Sequence, residues 1–99
     1  MEATLKNYTA LKGKYPNAII WFNDKNTETV LALSDSAVAT CEQLNLEGSR
    51  EQHPEAFSVQ FNQSDMDTYL KRMIKAGYQV GVMEKPIDRN YRIKPSDFK

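Results

Sequence analysis

The sequence is poor in the residues from which small proteins build cross-links, metal sites and catalytic centres. Its 99 residues include one cysteine, Cys41, and one histidine, His53. A single cysteine excludes an internal disulfide and any zinc site built from cysteines. Four glycines and four prolines form no low-complexity tract, and a hydrophobic content of 40% is ordinary for a globular protein. We therefore expect one domain over residues 1–99.

Long apolar runs and an excess of one charge are also missing. The longest apolar run, Ala18–Phe22, is too short to cross a bilayer. Because no basic-then-apolar signal peptide opens the chain, we expect a cytoplasmic protein that does not bind membranes. The 13 basic and 13 acidic residues cancel, so the chain as a whole is not a polycation that seeks nucleic acid.

The charges are nevertheless distributed unevenly. Residues 1–70 carry five basic and ten acidic residues, whereas residues 71–99 carry eight basic and three acidic ones, giving formal charges of −5 and +5. The basic part can meet phosphate groups. The alternative is that the two parts attract each other or only solvate the surface.

Catalytic and metal-binding groups find little support in the sequence. Cys41 falls on the apolar side of a predicted helix, where a free thiol usually packs as a small hydrophobe. His53 lies in a predicted loop beside Pro54, and no acidic residue is spaced to orient it. Asp65 and Asp67 are explained by the start of a helix. No glycine-rich phosphate-binding motif is present. We predict a non-enzymatic protein with no cofactor, no metal and no nucleotide site.

Hydrophobic periodicity predicts three helices and about five strands in the order α-β-β-α-β-α-β-(β). The helices are predicted over Thr4–Tyr15, from the Ser34-Asp35-Ser36 cluster to Asn45, and from Ser64 to Gly77. The strands are predicted over residues 18–22, 29–33, 56–61, 78–82 and 91–93. This order favours an α/β fold with a mixed sheet flanked by helices.

Several side-chain roles follow from the same pattern. The second helix is expected to bury the stripe Ala37, Val38, Cys41 and Leu44. The strand after it is expected to turn Phe57, Val59 and Phe61 inward, and Ser58 and Gln60 outward. The third helix is expected to begin with a capping box of Ser64 and Asp67, to pair Asp67 with Lys71, and to end at Gly77 in a left-handed conformation.

A basic stripe lies on the third predicted helix. Lys71, Arg72 and Lys75 fall outside its apolar stripe and share its solvent side. The last part of the chain adds Lys85, Arg89, Arg92, Lys94 and Lys99, with Tyr91 and Phe98 among them. Such a stripe can neutralise phosphates and offer rings for stacking. The alternative is a solvated helix face whose cations complement the helix dipole.

Three segments together resemble a known family. They are the helix, Tyr-Pro turn and strand of Tyr8–Phe22, the helix Asp35–Leu46, and the run Asp67–Glu84 with its Tyr-Leu pair and its Gly-Tyr turn. In this order and spacing they resemble the N-terminal domain of the DNA mismatch repair protein MutS. The resemblance implies a mixed sheet flanked by helices in a module that contacts DNA at mismatches. It does not extend to the ATPase domain of that family, so it implies no ATP hydrolysis.

The mismatch-reading motif of that family, Gly-Asp-Phe-Tyr-Glu-Leu-Phe, is not found here. The matching region is Asn23–Leu33, which is about two residues longer. Counting back from Ala37 places Thr29 at the position of the Phe and Leu31 at that of the Glu. Threonine cannot stack on a base as an aromatic ring does, and leucine cannot accept a hydrogen bond. The turn before the third helix also departs from the family pattern, with Asn62, Gln63 and Ser64.

Two functions therefore remain as expectations. One is a non-catalytic module that binds DNA weakly or without specificity, with Lys71, Arg72 and Lys75 as phosphate contacts and Lys25 and Asn26 at the hairpin tip as further candidates. The other is a protein-interaction module that keeps the fold without binding DNA. The charge asymmetry and the resemblance favour DNA as the partner; the zero net charge and the two replaced residues favour another protein.

Overall fold

The computed structural model describes residues 2–50 and 56–85. In chain order they form α1 (Glu2–Lys14), β1 (Ala18–Asp24), β2 (Thr29–Leu33), α2 (Ser34–Leu44), β3 (Ser58–Asn62), a 3-10 turn (Gln63–Asp65), α3 (Met66–Lys75) and β4 (Gln79–Lys85). The predicted α/β class and the element order are confirmed. The sheet has four strands in the part of the chain described, where about five were expected. The predicted strand over residues 91–93 lies outside the described residues.

The sheet is mixed and has the strand order β3-β2-β1-β4. β1 and β2 form an antiparallel hairpin, β2 and β3 are antiparallel, and β1 and β4 are parallel. Asp24 lies opposite both Thr29 and Lys85, and Thr29 lies opposite Asn62. The hairpin turn, the 3-10 turn and the end of β4 therefore meet at one end of the sheet, which we call the hairpin end.

Helices cover both faces of this sheet. β1 is buried from Ala18 to Asn23, as expected for a strand with both faces covered. One core lies between the sheet and the pair α2 and α3, and it includes Trp21, Phe61 and Met73. The other lies under α1 and includes Tyr8. Since α3 follows β3 and precedes β4, it begins at the hairpin end and runs back to the opposite end.

The inner face of α2 differs from the predicted stripe. The buried residues are Ser36, Ala37, Thr40 and Leu44, whereas Val38 is 43% exposed and Cys41 is half-buried. Relative to the predicted orientation, α2 is rotated about its axis, because the hydroxyls of Ser36 and Thr40 find hydrogen-bond partners in the core. The Ser36 hydroxyl accepts the Ile20 N–H at 3.0 Å. Thr40 donates to the Ser36 carbonyl at 2.7 Å and accepts the Trp21 indole N–H at 3.0 Å. Two polar side chains whose hydrogen bonds are made within the protein are therefore buried on the inner face, where the hydrophobic pattern predicts Val38 and Cys41.

The side-chain cap predicted at the start of the third helix is not formed, whereas the predicted glycine end is. No side chain caps the start of α2, where Ser34 has a φ of 49° and its N–H donates to the Phe57 carbonyl at 2.7 Å. The capping box of Ser64 and Asp67 is also absent, because a 3-10 turn leads into α3. Gly77 does end this region with a φ of 99°, as predicted.

Two further predictions about side chains were wrong. Asp67 and Lys71 are both exposed and are not in ion-pair contact. Ser58 was expected to face solvent but is buried, because its backbone and hydroxyl bond to Ser49 across a short bridge. Val59 and Phe61 are buried as predicted, and Phe57 is partly buried.

Candidate nucleic-acid interface

The basic residues of α3 lie on its solvent side. Leu70 and Met73 are the buried residues of this helix. Helical geometry places Lys71, Arg72 and Lys75 on the opposite side, and all three are exposed. The sequence prediction that they share one surface is confirmed; whether that surface binds DNA is a separate question.

These three cations have few partners. No carboxylate of the described residues is in ion-pair contact with any of them. Arg72 donates from Nη2 to the Gln43 carbonyl at 3.4 Å, a long contact with the end of α2. Beside it lies a concavity of about 330 Å³ lined by Gln43, Arg72, Lys75 and Ala76. Within the described residues, no carboxylate in ion-pair contact therefore offsets their charge.

The hairpin tip offers less free charge than its sequence suggested. Lys25 and Asn26 are exposed. However, the Asn26 N–H donates to the Asp24 carboxylate at 2.9 Å, which closes the turn. The Lys25 ammonium lies 3.9 Å from the Glu84 carboxylate. The charge of Lys25 is therefore partly offset by Glu84, and Asn26 lies next to the Asp24 carboxylate.

A buried amide connects the elements at the hairpin end, and sequence reasoning missed it. Asn23 is 3% exposed. Its Oδ1 accepts the Gln63 side-chain N–H at 2.8 Å, and its Nδ2 donates to Glu84 at 3.4 Å. The Gln63 backbone N–H donates to the Glu28 carbonyl at 2.9 Å. These bonds hold the 3-10 turn against the hairpin. The only sequence signal was an asparagine directly after an apolar run.

The hairpin end also has a polar concavity. Its volume is about 550 Å³, and it is lined by Thr27, Glu28, Asn62, Gln63 and Ser64. The lining contains hydroxyl, amide and carboxylate groups and no aromatic ring. It can therefore offer hydrogen bonds but no stacking surface.

Thr29 and Leu31 both lie on β2. Thr29 is half-buried, and its hydroxyl lies 2.7 Å from that of Thr27. Leu31 is 3% exposed and belongs to the core under α1. Leu31 is therefore not accessible to a ligand at the hairpin end, whereas Thr29 is partly exposed there.

The sequence matches the family MutS domain I over residues 2–96. The chain belongs to the MutS domain I family. No curated protein matches it. MutS domain I is a recognition domain without catalytic activity, so family membership directs attention to surfaces that bind and away from reaction chemistry.

In this member of the MutS domain I family, the turn between β1 and β2, residues 25–28, contains no aromatic side chain. If Thr29 and Leu31 are matched to the Phe and Glu of the family motif, one is a small hydroxyl side chain and the other is core packing. Threonine cannot stack on a base as an aromatic ring does, and leucine cannot accept a hydrogen bond from one.

The structure does not bring all candidate DNA contacts together. Lys25 and Asn26 lie at the hairpin end, where α3 begins. Lys71, Arg72 and Lys75 lie in the second half of α3, which runs toward the opposite end. The ten residues of α3 span about 15 Å. The two sets are therefore separate surfaces.

Reactive and metal-binding groups do not add another site among the described residues. Burial, followed by the nearby Glu42 charge, raises the pKa of the Cys41 thiol, which disfavours the thiolate that nucleophilic reactions and metal binding need. No group of three or more potential metal ligands occurs in residues 2–50 and 56–85. Within the same residues, no helix has both the length and the apolar character that a bilayer crossing needs. His53 lies outside the described part of the chain.

Proposed function

We propose that this protein is a non-catalytic DNA-binding module that binds by charge and does not read mismatches. The observation that carries the proposal is the joint exposure of Lys71, Arg72 and Lys75 on one side of α3, with no carboxylate partner among the described residues. Membership of the MutS domain I family supports DNA as the polyanion.

The spacing of the cations suits a phosphate backbone. Lys71 and Lys75 are four residues apart on α3, about 6 Å along its axis, so both ammonium groups can face one run of phosphates. Arg72 adds a planar group that can donate two hydrogen bonds to one phosphate. Contacts of this kind depend strongly on salt and carry no sequence information.

The residues at the hairpin support weak and non-specific binding. Leu31 is core packing, and Thr29 has its hydroxyl beside that of Thr27. An aromatic wedge inserted into a base step is therefore not available from these two positions. We expect homoduplex and mismatched duplex to bind with equal affinity.

Fluorescence anisotropy with labelled homoduplex, mismatched duplex and single-stranded DNA, between about 50 and about 200 mM salt, tests this proposal. The informative variant is Lys71→Gln/Lys75→Gln. Its matched control is Lys6→Gln/Lys14→Gln, which removes the same charge from exposed positions on α1, across the sheet. Arg72→Gln is measured separately.

In the first variant, the slope of log K against log salt should become less negative by about 2, because about 0.9 counterion is released per phosphate contact. The control should keep the wild-type slope. An equal loss in both variants would mean that net charge, and not the face of α3, controls binding. No binding at low salt, with circular dichroism unchanged, would support the protein-interaction alternative. Preference for the mismatched duplex would contradict our interpretation of the hairpin.

A further inference from the structure

A recess lies where the end of α2 meets the end of α3, beside the basic face that Lys71, Arg72 and Lys75 form on α3. Its volume is about 330 Å³, and it is lined by Gln43, Arg72, Lys75 and Ala76. Two of these side chains are cationic, and Ala76 contributes only a methyl group. The exposed face of α3 therefore adjoins a concave site that has two positive charges in its wall.

The guanidinium of Arg72 is directed toward the recess by a contact with α2. Its Nη2 donates to the Gln43 carbonyl at 3.4 Å. That carbonyl is one of the last four of α2, which have no partner within the helix. A guanidinium has five N–H donors, and this is the hydrogen bond that Arg72 donates from its side chain within the described residues. Other donors of the same group can therefore reach a ligand in the recess.

Lys75 brings a second positive charge to the same recess. Arg72 and Lys75 are three residues apart on α3, so their side chains are neighbours on the helix surface. Each cation complements the dipole at the end of α3, which accounts for its presence without any ligand. The dipole does not require both cations to line one recess, where their like charges repel each other. An anion bound between them would offset that repulsion.

We propose that this recess holds the terminal phosphate of a DNA strand, so that the protein prefers phosphorylated DNA ends. The inference rests on the proposed function and adds the class of DNA site that is bound. A phosphate monoester carries more negative charge than a phosphodiester within a strand, and it has three free oxygens. Arg72 can donate two parallel hydrogen bonds to two of them, and the Lys75 ammonium can contact the third.

The shape of the recess favours a strand end over the middle of a strand. Lys71 and Lys75 lie one turn apart on the exposed side of α3 and can follow a continuous phosphate backbone. A phosphate within a strand is flanked by two nucleotides, which hold it against an exposed helix face. A terminal phosphate has a nucleotide on one side only, so it can project into a recess between two helix ends. Arg72 and Lys75 line that recess, whereas Lys71 does not.

The test compares three short blunt homoduplexes of one sequence by fluorescence anisotropy, each with an internal label. One has 5′-phosphates, one has 3′-phosphates, and one has no terminal phosphate. Arg72→Lys keeps the charge but loses the planar pair of donors. Ala76→Leu fills the recess without changing the charge. The matched control is Lys71→Gln, which removes a cation from the same face of α3 but not from the recess. Thermal melts establish that each variant is folded.

The wild type should bind a phosphorylated duplex about threefold to tenfold more tightly than the unphosphorylated one at about 50 mM salt. Arg72→Lys and Ala76→Leu should each bring this ratio close to one. Lys71→Gln should weaken binding of all three duplexes and keep the ratio. If the ratio stays at its wild-type value in both Arg72→Lys and Ala76→Leu, the preference arises elsewhere on the protein and the inference is wrong.

The outcomes separate this inference from the proposed function. If the wild type binds all three duplexes equally, the recess is refuted as an end site, while binding through α3 stands on its salt dependence. If no duplex binds, the proposed function fails, and the recess is tested with thymidine 5′-monophosphate, and with thymidine as control, by NMR of the ¹⁵N-labelled protein. Shifts of the Arg72 Nε–H and the Ala76 amide with the monophosphate alone would support a phosphate monoester site; their absence would refute it.

Discussion

The hairpin end and the basic face of α3 contain similar kinds of polar side chain but use them differently. At the hairpin end, Asn23 bonds to both Gln63 and Glu84, and Lys25 lies beside Glu84. On α3, Lys71 and Lys75 are exposed without an ion-pair partner in the described part of the chain. Polar groups that are bonded internally hold the fold, whereas free charges remain available for a ligand.

The same contrast separates the hairpin of this chain from the pattern of the family. In the MutS pattern, the motif after the first strand reads the mismatch. At the two positions that counting back from Ala37 matches to that motif, Leu31 lies in the core under α1, and the Thr29 hydroxyl lies beside that of Thr27. Under the proposed function the nucleic-acid contact lies on α3 instead, and substitutions in each region test this comparison.

The largest effect is expected for Leu31→Glu, which restores the family carboxylate at the matched position. Leu31 is 3% exposed, so the variant loses apolar burial and places an unpaired carboxylate in the core. We expect it to lower the free energy of unfolding by at least about 3 kcal/mol, measured by urea denaturation.

Thr29→Glu is the matched control for that change. Thr29 is on the same strand but half-buried and at its first position, so we expect a loss below about 1 kcal/mol. If both variants were equally stable, β2 would have a different register, and the assignment of Leu31 to the core would be wrong.

The second largest effect is expected for Gln63→Ala. This variant removes the 2.8 Å hydrogen bond from the Gln63 side chain to Oδ1 of Asn23. The buried Oδ1 then loses this donor. The free energy of unfolding should fall by about 1 to 3 kcal/mol. Gln60→Ala, at an exposed position of β3, is the control and should change stability by less than about 0.5 kcal/mol. Equal effects would show that the amide network does not hold the hairpin end.

The element order was predictable because β1, β2 and α3 carry strong local patterns. The apolar run after Pro16 fits a strand with both faces covered, and the stripe of α3 contains Leu70 and Met73, which are buried. The orientation of α2 was not predictable in this way. Its inner face depends on Ser36 and Thr40 bonding to groups on β1, partners that are distant in sequence.

The candidate site was predictable only in part. Exposure of Lys71, Arg72 and Lys75 follows from helical periodicity, which needs no tertiary information. The amide network at the hairpin end does not, because its members come from β1, the 3-10 turn and the end of β4. Only the strand register shows that these segments meet.

A smaller effect concerns the end of α3, which fixes where its basic residues lie. Gly77 has a φ of 99°, a backbone conformation that alanine rarely adopts. Gly77→Ala should therefore lower the free energy of unfolding by about 1 to 2 kcal/mol, although an added Cβ would meet no other atom. Gly13→Ala is the control: Gly13 is within α1, its Cβ would also meet nothing, and it has no positive φ. The free energy of unfolding of Gly13→Ala, measured by thermal or urea denaturation, should rise by about 0.5 to 1 kcal/mol. A stable Gly77→Ala would mean that α3 ends with a different backbone.

The smallest effect is expected for Lys25→Ala at the hairpin tip. Its ammonium lies 3.9 Å from Glu84, but the two side chains are 71% and 50% exposed. Solvent and salt screen such a pair, so the free energy of unfolding should change by less than about 0.5 kcal/mol. DNA affinity should also stay within about twofold of the wild type, because we propose α3 as the binding surface and Lys25 lies outside it. A loss of DNA affinity as large as that of Lys71→Gln/Lys75→Gln would place the hairpin tip in the interface and make the two regions one surface.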